Sequence, residues 1–157
     1  MNEVSRIWTV TEETGKNMAR LGEECYREVQ PGRTMDADYF VRIWRKLIDD
    51  QTGALWDSRE QDDCHGGLGA IIHNDLVDGL LICVVAFWFV KKEFRQGACA
   101  LGLLQAAEGW AKKRCARRFT FALPWTNREV NESSLINVGF APLETYYIKN
   151  LWASPQQ

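Results

Sequence analysis

The chain lacks the features that mark several broad classes of protein. Its longest apolar run, residues 80–90, is too short to cross a bilayer, so no membrane association is expected. The opening residues MNEVSRIW are polar and contain no apolar signal-peptide core, which predicts no secretory signal. Neither sign of charge dominates: the net charge is -2 and the sequence pI is about 5.7. There is therefore no overall basic field, and no nucleic-acid partner is expected.

The cysteines have no spacing that indicates disulfides or zinc. There are five, an odd number, and none forms a CxxC pair. A metal site can be drawn from Cys64, His65, His73 and Cys83, but no helix or knuckle spacing supports it, so we expect no metal. This cysteine usage predicts a reducing, cytoplasmic location. The basic run at residues 112–118 is interpreted as the solvated end of a helix, where cations suit the helix dipole.

What the chain does have is the composition of one ordinary globular domain. Its 157 residues are 46% hydrophobic and 25% charged, enough to bury a core, and we predict a single domain over 1–157. A strand is predicted at residues 6–10. Two amphipathic helices follow, one after Thr11 that stops at Pro31, and one from Asp36 that closes near Gly53.

The character of the sequence changes after Gly53. Three strand-like segments separated by polar turns predict consecutive antiparallel strands, and the third lacks alternation, as in a strand buried on both faces. A helix then leads to a strand at 117–123, which predicts a right-handed parallel βαβ unit. A short helix ending at Gly139 and a last strand complete the pattern. The fold class is α+β, with a mixed, mostly antiparallel twisted sheet flanked by helices.

The segment between Arg95 and Leu103 carries the main functional signal. Small residues stand where a strand turns into a helix, and a helix N-terminus offers unpaired N–H groups to an anion. A pyrophosphate fits there, with Arg95 adding charge; close packing of the helix on the sheet explains the same residues without a ligand. The sequence contains neither GxxxxGK[ST] nor GxGxxG, which excludes a P-loop and a Rossmann fingerprint.

These residues resemble the GNAT superfamily of acyl-CoA-dependent N-acetyltransferases. A long apolar strand precedes the stretch Arg95-Gln96-Gly97-Ala98-Cys99-Ala100, as one precedes the family's R-x-x-G-x-G/A motif. Behind this stretch, the pair Leu103-Leu104 and the segment QAAEGWAKKR are in register with the family's pattern. The ending GFAPLETYYIKNL and the order of elements are also similar. The resemblance is best over about 66–151, and the first third agrees by element order alone.

The resemblance implies binding of acetyl-CoA as acyl donor. The pyrophosphate loop of the family corresponds to Gln96, Gly97, Ala98, Cys99 and Ala100, acting through backbone N–H groups. The pantetheine arm would lie between two splayed parallel strands and pair with backbone near Phe89 and Val90. An acceptor amine would attack the thioester directly, with the tetrahedral charge stabilised by a backbone donor.

Three departures from the family pattern bear on catalysis. Ala98 replaces the first Gly of the loop, which is tolerable unless φ is positive there. Leu135 stands where many relatives carry a Tyr that protonates the leaving thiolate, so that Tyr146, Tyr147 or water would have to act. The central strand has no Glu to serve as a base. A catalytically weak or inactive module that binds CoA or a protein partner is therefore the alternative to an active enzyme.

A hairpin turn centred on residues 76 and 77 would place His65 opposite Trp88, near the thioester. His65 is then a candidate general base, and a solvent-facing hairpin histidine is the other interpretation. Glu60 could instead act through a water. The same register places Asp57, Glu60, Asp62 and Asp63 around the mouth of the site, where they would attract a cationic amine or simply be solvated.

The remaining candidates are aromatic side chains and one thiol. Trp44 and Trp110 are predicted in the core, and Trp56, Trp88 and Trp125 either line an acceptor pocket or pack. Cys99 at a helix start is predicted to be a small packed residue rather than a nucleophile, since direct transfer needs none. The expected acceptor is an amine of a small molecule or a protein, and a homodimer is left open.

Overall fold

The computed structural model describes residues 3–123, 128–144, 147, 149 and 151, with backbone alone at 128–131. It divides into two compact units, residues 1–122 and 123–157. The single domain expected over 1–157 stays a prediction.

The first unit is a five-stranded sheet with helices on both faces. Its strands, in spatial order, are β1 (Glu3–Ile7), β2 (Gly53–Glu60), β3 (Asp63–Asn74), β4 (Leu81–Val90) and β5 (Arg118–Thr120). Neighbours from β1 to β4 pair antiparallel, whereas β4 and β5 pair parallel. The predicted α+β class with a mixed, mostly antiparallel sheet and one parallel pair is confirmed.

Two capped helices cover one face of the sheet. In α1 (Glu12–Val29), Thr11 accepts from the Thr14 backbone N–H at 3.1 Å and completes a capping box. In α2 (Ala37–Asp49), the Asp36 carboxylate caps the first turn. Apolar side chains of both helices bury against the inner residues of β2, β3 and β4. No helix in the described ranges is long and apolar enough to span a membrane.

The helix α3 (Ala98–Lys113) covers the opposite face. A short 3-10 helix, Lys92–Phe94, joins it to β4. Its predicted inner residues are all buried: Leu103, Leu104, Ala107, Trp110 and Ala111. The ring of Trp110 packs edge-to-face on Trp56 at 5.9 Å, so packing is the role that both side chains have.

The ends of two predicted strands are wrong. β1 covers residues 3–7 rather than 6–10, because the chain bends after Ile7 to bury Val10, whose carbonyl accepts from Arg45 Nε at 2.7 Å. β5 covers only 118–120 of the predicted 117–123. β4, which was predicted to be buried on both faces, is not buried along its whole length: Ala86 is exposed and Trp88 is half-buried.

The predicted register of the β3–β4 hairpin is also wrong. Leu68, not His65, lies opposite Trp88, and the His65 carbonyl accepts from the Lys91 N–H at 2.9 Å. Two local features cause the shift. The turn spans residues 75–80 and is longer than assumed, and a β-bulge adds Ala86 to β4 between the paired residues Val85 and Phe87.

The second unit contains α4 (Arg128–Asn137), which ends as predicted at Gly139, where φ is +95°. The backbone N–H of Phe140 donates to the Leu135 carbonyl at 3.0 Å and so caps the C-terminal end of the helix. Most of the predicted last strand, and Trp125, lie outside the described residues.

Two glycines inside helices are expected to respond oppositely to alanine. A Cβ at Gly15 would lie 2.5 Å from Val41 Cγ2 and 3.0 Å from the Ala37 carbonyl oxygen, whereas a Cβ at Gly109 meets nothing within 4 Å. Gly109→Ala should raise the free energy of unfolding by about 0.5–1 kcal/mol, because alanine suits a helix better. Gly15→Ala should lower it by about 1–3 kcal/mol through overpacking between α1 and α2. Urea unfolding of both variants tests the pair, and equal effects would contradict the packing described.

Candidate functional site

An open strand edge lies between β4 and β5. The two strands pair only over Ile82–Val84 of β4, and beyond Val84 the described part of the chain supplies no further partner on that side. Backbone groups alternate along a strand, and the Lys91 N–H points at β3. The N–H and C=O groups of Trp88 and Val90 therefore point away from β3, into the opening.

The two predicted pantetheine contacts differ in their geometry. The Phe89 side chain belongs to the core, packed on Tyr26 and Phe87, and its backbone faces β3 by the same alternation. The Val90 backbone faces the opening, but its carbonyl already accepts from Arg95 Nε at 2.9 Å and from the Cys25 thiol at 3.6 Å. The N–H of Val90 and the backbone of Trp88 are the better placed donors and acceptors.

Arg95 binds protein groups at the start of the loop. Besides the Val90 carbonyl, its guanidinium pairs with the Glu28 carboxylate at 2.6 Å, and this hydrogen bond lowers the pKa of Glu28. The pair ties the end of α1 to the end of β4. Glu28 offsets much of the positive charge that Arg95 was predicted to supply, so Arg95 positions the loop more directly than it attracts an anion.

The start of α3 leaves its N–H groups without a side-chain cap. Gly97 is the N-cap residue, with φ of -107°, and no side-chain cap bond forms among the described residues. Gln96, Gly97 and Ala98 are exposed, whereas Cys99 and Ala100 are buried beneath them. A Cβ on Gly97 would meet only the Phe94 carbonyl, at 3.6 Å. The helix start is therefore open to an anion from solvent.

Ala98 fits its position without strain. Among the described non-glycine residues, positive φ occurs only at Gln51, Gln61 and Cys115. The absence of the family's first loop glycine therefore has no backbone cost here.

Cys99 is a packed residue, as predicted. Its side chain is 1% exposed, and burial raises the pKa of its thiol, opposite to the effect of a helix N-terminus. A Cβ added at Gly66 of β3 would lie 3.0 Å from the sulfur. The thiol fills the space between the start of α3 and the sheet.

His65 is enclosed by the residues that begin the loop. It is 5% exposed, its ring stacks on Phe94 at 3.8 Å, and its Nε2 lies 3.1 Å from Asp63. The Lys91 ammonium donates a hydrogen bond to the same carboxylate at 2.8 Å. This hydrogen bond is the main reason that the pKa of Asp63 is lowered. His65 therefore lies beside Lys91, about 10 Å along β4 from Trp88.

The acidic residues that were predicted around the mouth of the site have different surroundings in the structure. Asp57 is 4% exposed, lies opposite Gly67 on the α1 side of the sheet and pairs with Arg59. Asp63 is held by Lys91. Glu60 and Asp62 are exposed at the β2–β3 turn. Among the described residues, no group of three His, Cys, Asp or Glu side chains is arranged to hold a metal.

The positions considered for the acid that protonates the leaving thiolate lie in the second unit. Leu135 is 9% exposed on α4 and offers an aliphatic side chain, and Tyr147 is 94% exposed. Tyr146 lies outside the described residues. Tyr147 as the thiolate acid stays a prediction.

Sequence reasoning missed the groups that hold the loop in position. Glu28, Cys25 and Phe94 contact Arg95, Val90 and His65 respectively. Glu28 is 67 residues from Arg95 in the chain, and no local pattern announces such a pair. The one available signal was Phe94, an apolar residue within a charged, polar stretch.

Solved structures with a similar fold include N-acetyltransferases. A ribosomal-protein-alanine N-acetyltransferase from Brucella melitensis biovar Abortus is 14% identical, with a TM-score of 0.68 over 97% of this chain and 100% of that one. An aminoglycoside N-acetyltransferase, AAC(6')-Iy, in complex with CoA is 16% identical, with a TM-score of 0.71 over 96% and 94%. A predicted acetyltransferase from Clostridium acetobutylicum with acetyl-CoA is 12% identical, with a TM-score of 0.73 over 96% and 97%.

No model of a known protein family matches the chain, and no curated protein matches its sequence. At identities this low, the likeness establishes the fold. The chain has the GNAT fold, which the sequence predicted.

Proposed function

We propose that the protein is an N-acetyltransferase that moves an acetyl group from acetyl-CoA to a primary amine. The observation that supports this proposal is that two features follow each other closely along the chain. They are an open edge of β4 at Trp88 and Val90 and, a few residues later, the uncapped start of α3 at Gly97. A ligand with an amide-bearing arm and a pyrophosphate matches that pair in order along the chain. Two of the similar structures hold CoA or acetyl-CoA, which supports the same donor.

The proposed reaction is a direct transfer. The neutral amine attacks the thioester carbonyl, and a backbone N–H of the open β4 edge stabilises the oxyanion. The cationic acceptor has first given one proton to solvent water to become that neutral amine. The tetrahedral intermediate then collapses, the C–S bond breaks, the nitrogen gives its remaining extra proton to water, and the thiolate leaving group gains a proton. Tyr147 or water supplies that last proton. Neither a covalent enzyme intermediate nor a metal takes part.

The proposed acceptor is a cationic amine of a small molecule or a protein. The similar structures include enzymes named for an aminoglycoside and for the alanine of a ribosomal protein, so both acceptor classes belong in the test. A homodimer and a cytoplasmic location stay predictions.

The alternative is a module that binds CoA and has little activity. It is favoured by Leu135, which carries no ionisable group, and by the sequence of β4, which contains no acidic residue. Release of free thiol from acetyl-CoA, measured with aminoglycosides, polyamines and lysine- or alanine-terminated peptides, separates the two. Thiol release that depends on an amine supports the enzyme; tight binding of CoA without turnover on any amine supports the module.

We expect His65 to fail as the general base. It is enclosed by Phe94 and Asp63 beside Lys91, distant from the middle of the β4 edge, so an acceptor amine would not reach it. His65→Gln should keep the pH–rate profile of thiol release and lower stability by about 1–2 kcal/mol through loss of packing and hydrogen bonding. Loss of the profile's acid-side pH dependence in a folded variant would instead identify His65 as the base. His73→Gln is the control, because His73 is exposed at the far end of β3.

A further inference from the structure

The indole of Trp88 lies at the opening between β4 and β5. Trp88 is four residues beyond Val84, the last residue of β4 that pairs with β5. Its ring packs edge-to-face on Phe121 at 5.8 Å, and Phe121 directly follows the last residue of β5. The two rings therefore meet just beyond the last paired residues of β4 and β5, where the opening begins.

The indole N–H of Trp88 finds no acceptor in the part of the chain that the structure describes. Its Nε1 is buried and makes no hydrogen bond within the described residues. Buried polar atoms without partners are rare in native proteins, and each calls for an explanation. The other two such atoms have local neighbours: Arg6 stacks on Trp8, and the Ser58 hydroxyl lies against the Cys99 thiol. The Trp88 donor differs because it lies beyond the point where the pairing of β4 with β5 has ended.

We propose that Trp88 binds the acyl-pantetheine arm of the donor, its indole N–H donating to a carbonyl oxygen of that arm. This inference rests on the proposed function. An indole N–H only donates, so its partner in a complex must supply an acceptor atom. The acyl-pantetheine arm carries a thioester carbonyl and two amide carbonyls, and its methylene groups suit the flanking aromatic rings.

Calorimetric titration of Trp88→Phe tests the proposal. Phenylalanine keeps a ring against Phe121 and removes the donor. We expect acetyl-CoA to bind about 5- to 30-fold more weakly, the loss expected for one hydrogen bond. Trp110→Phe is the matched control: it also removes an indole, but about 20 Å along α3 from Gly97, and should leave affinity unchanged. Equal affinities of Trp88→Phe and wild type would overturn the proposal.

Two further measurements identify the carbonyl that accepts the hydrogen bond. They also distinguish failure of the Trp88 inference from failure of the proposed function. Weakening with both CoA and acetyl-CoA assigns an amide carbonyl, whereas weakening with acetyl-CoA alone assigns the thioester. In the wild type, the Trp88 indole N–H cross-peak should move on saturation with ligand, a readout that does not depend on how the variant folds. If that peak does not move in a protein saturated with ligand, the role of Trp88 is refuted but the proposed function is not. A wild type that binds neither ligand refutes the proposed function itself.

Discussion

Gly97→Asp is expected to stabilise the free protein and to weaken acetyl-CoA binding by about 100-fold or more. Gly97 has an extended backbone that any residue adopts, and space for a side chain is open around it. An aspartate there can cap the free N–H groups of α3 and suits the helix dipole, raising the free energy of unfolding by about 0.5 kcal/mol. The same carboxylate would occupy the proposed pyrophosphate position and repel it.

The opposite signs make this variant informative, since general damage to the fold lowers both quantities. Gly97→Asn is the matched control, because asparagine caps in the same way without charge and should lose much less affinity. High salt should recover part of the loss in Gly97→Asp only. Thermal unfolding and calorimetry measure the two effects. An aspartate variant that binds acetyl-CoA as tightly as the asparagine variant would contradict a pyrophosphate at this helix start.

Leu103→Ala is expected to have the largest effect on stability. Leu103 is fully buried on α3, so close to β3 that a Cβ on Gly66 would lie 2.9 Å from its Cδ1. Removing its isobutyl group loses apolar burial and leaves a cavity, at a cost of about 3 kcal/mol. The melting temperature should fall by about 6–12 °C.

Leu101 provides the matched control on the same helix. Its side chain is 41% exposed, so Leu101→Ala should change the free energy of unfolding by less than about 0.5 kcal/mol. Chemical denaturation of both variants gives the comparison. Similar losses at the two positions would mean that α3 does not pack on the sheet through the face described.

The sequence could predict the parts of the fold that depend on local patterns. Thr11 and Asp36 cap helices because their side chains reach the next turn, and the buried face of α3 follows the helical period. The order of these elements, with the Arg95–Ala100 motif, was enough to predict the GNAT fold.

The register of the β3–β4 hairpin could not be predicted in the same way. The longer turn and the extra residue Ala86 shifted His65 from Trp88 to Lys91. A bulge leaves no signature in a continuous apolar run, because every residue there suits a strand.

The surroundings of the candidate site depend on contacts between distant parts of the chain. Arg95 meets Glu28, and Asp57 turns inward to Arg59 instead of facing an acceptor. The predicted register gave Asp57 the same role as Glu60, Asp62 and Asp63, and only the packing of β2 beneath α1 sets Asp57 apart.

Calorimetric titration of the wild-type protein with acetyl-CoA, beside Gly97→Asp, tests most directly whether the β4 edge and the start of α3 form an acyl-CoA site. We expect saturable binding at one site per chain in the wild type, and binding weakened by about 100-fold or more in the variant. No saturable binding of acetyl-CoA by the wild type, or equal binding by the wild type and Gly97→Asp, would show that these two features do not form such a site.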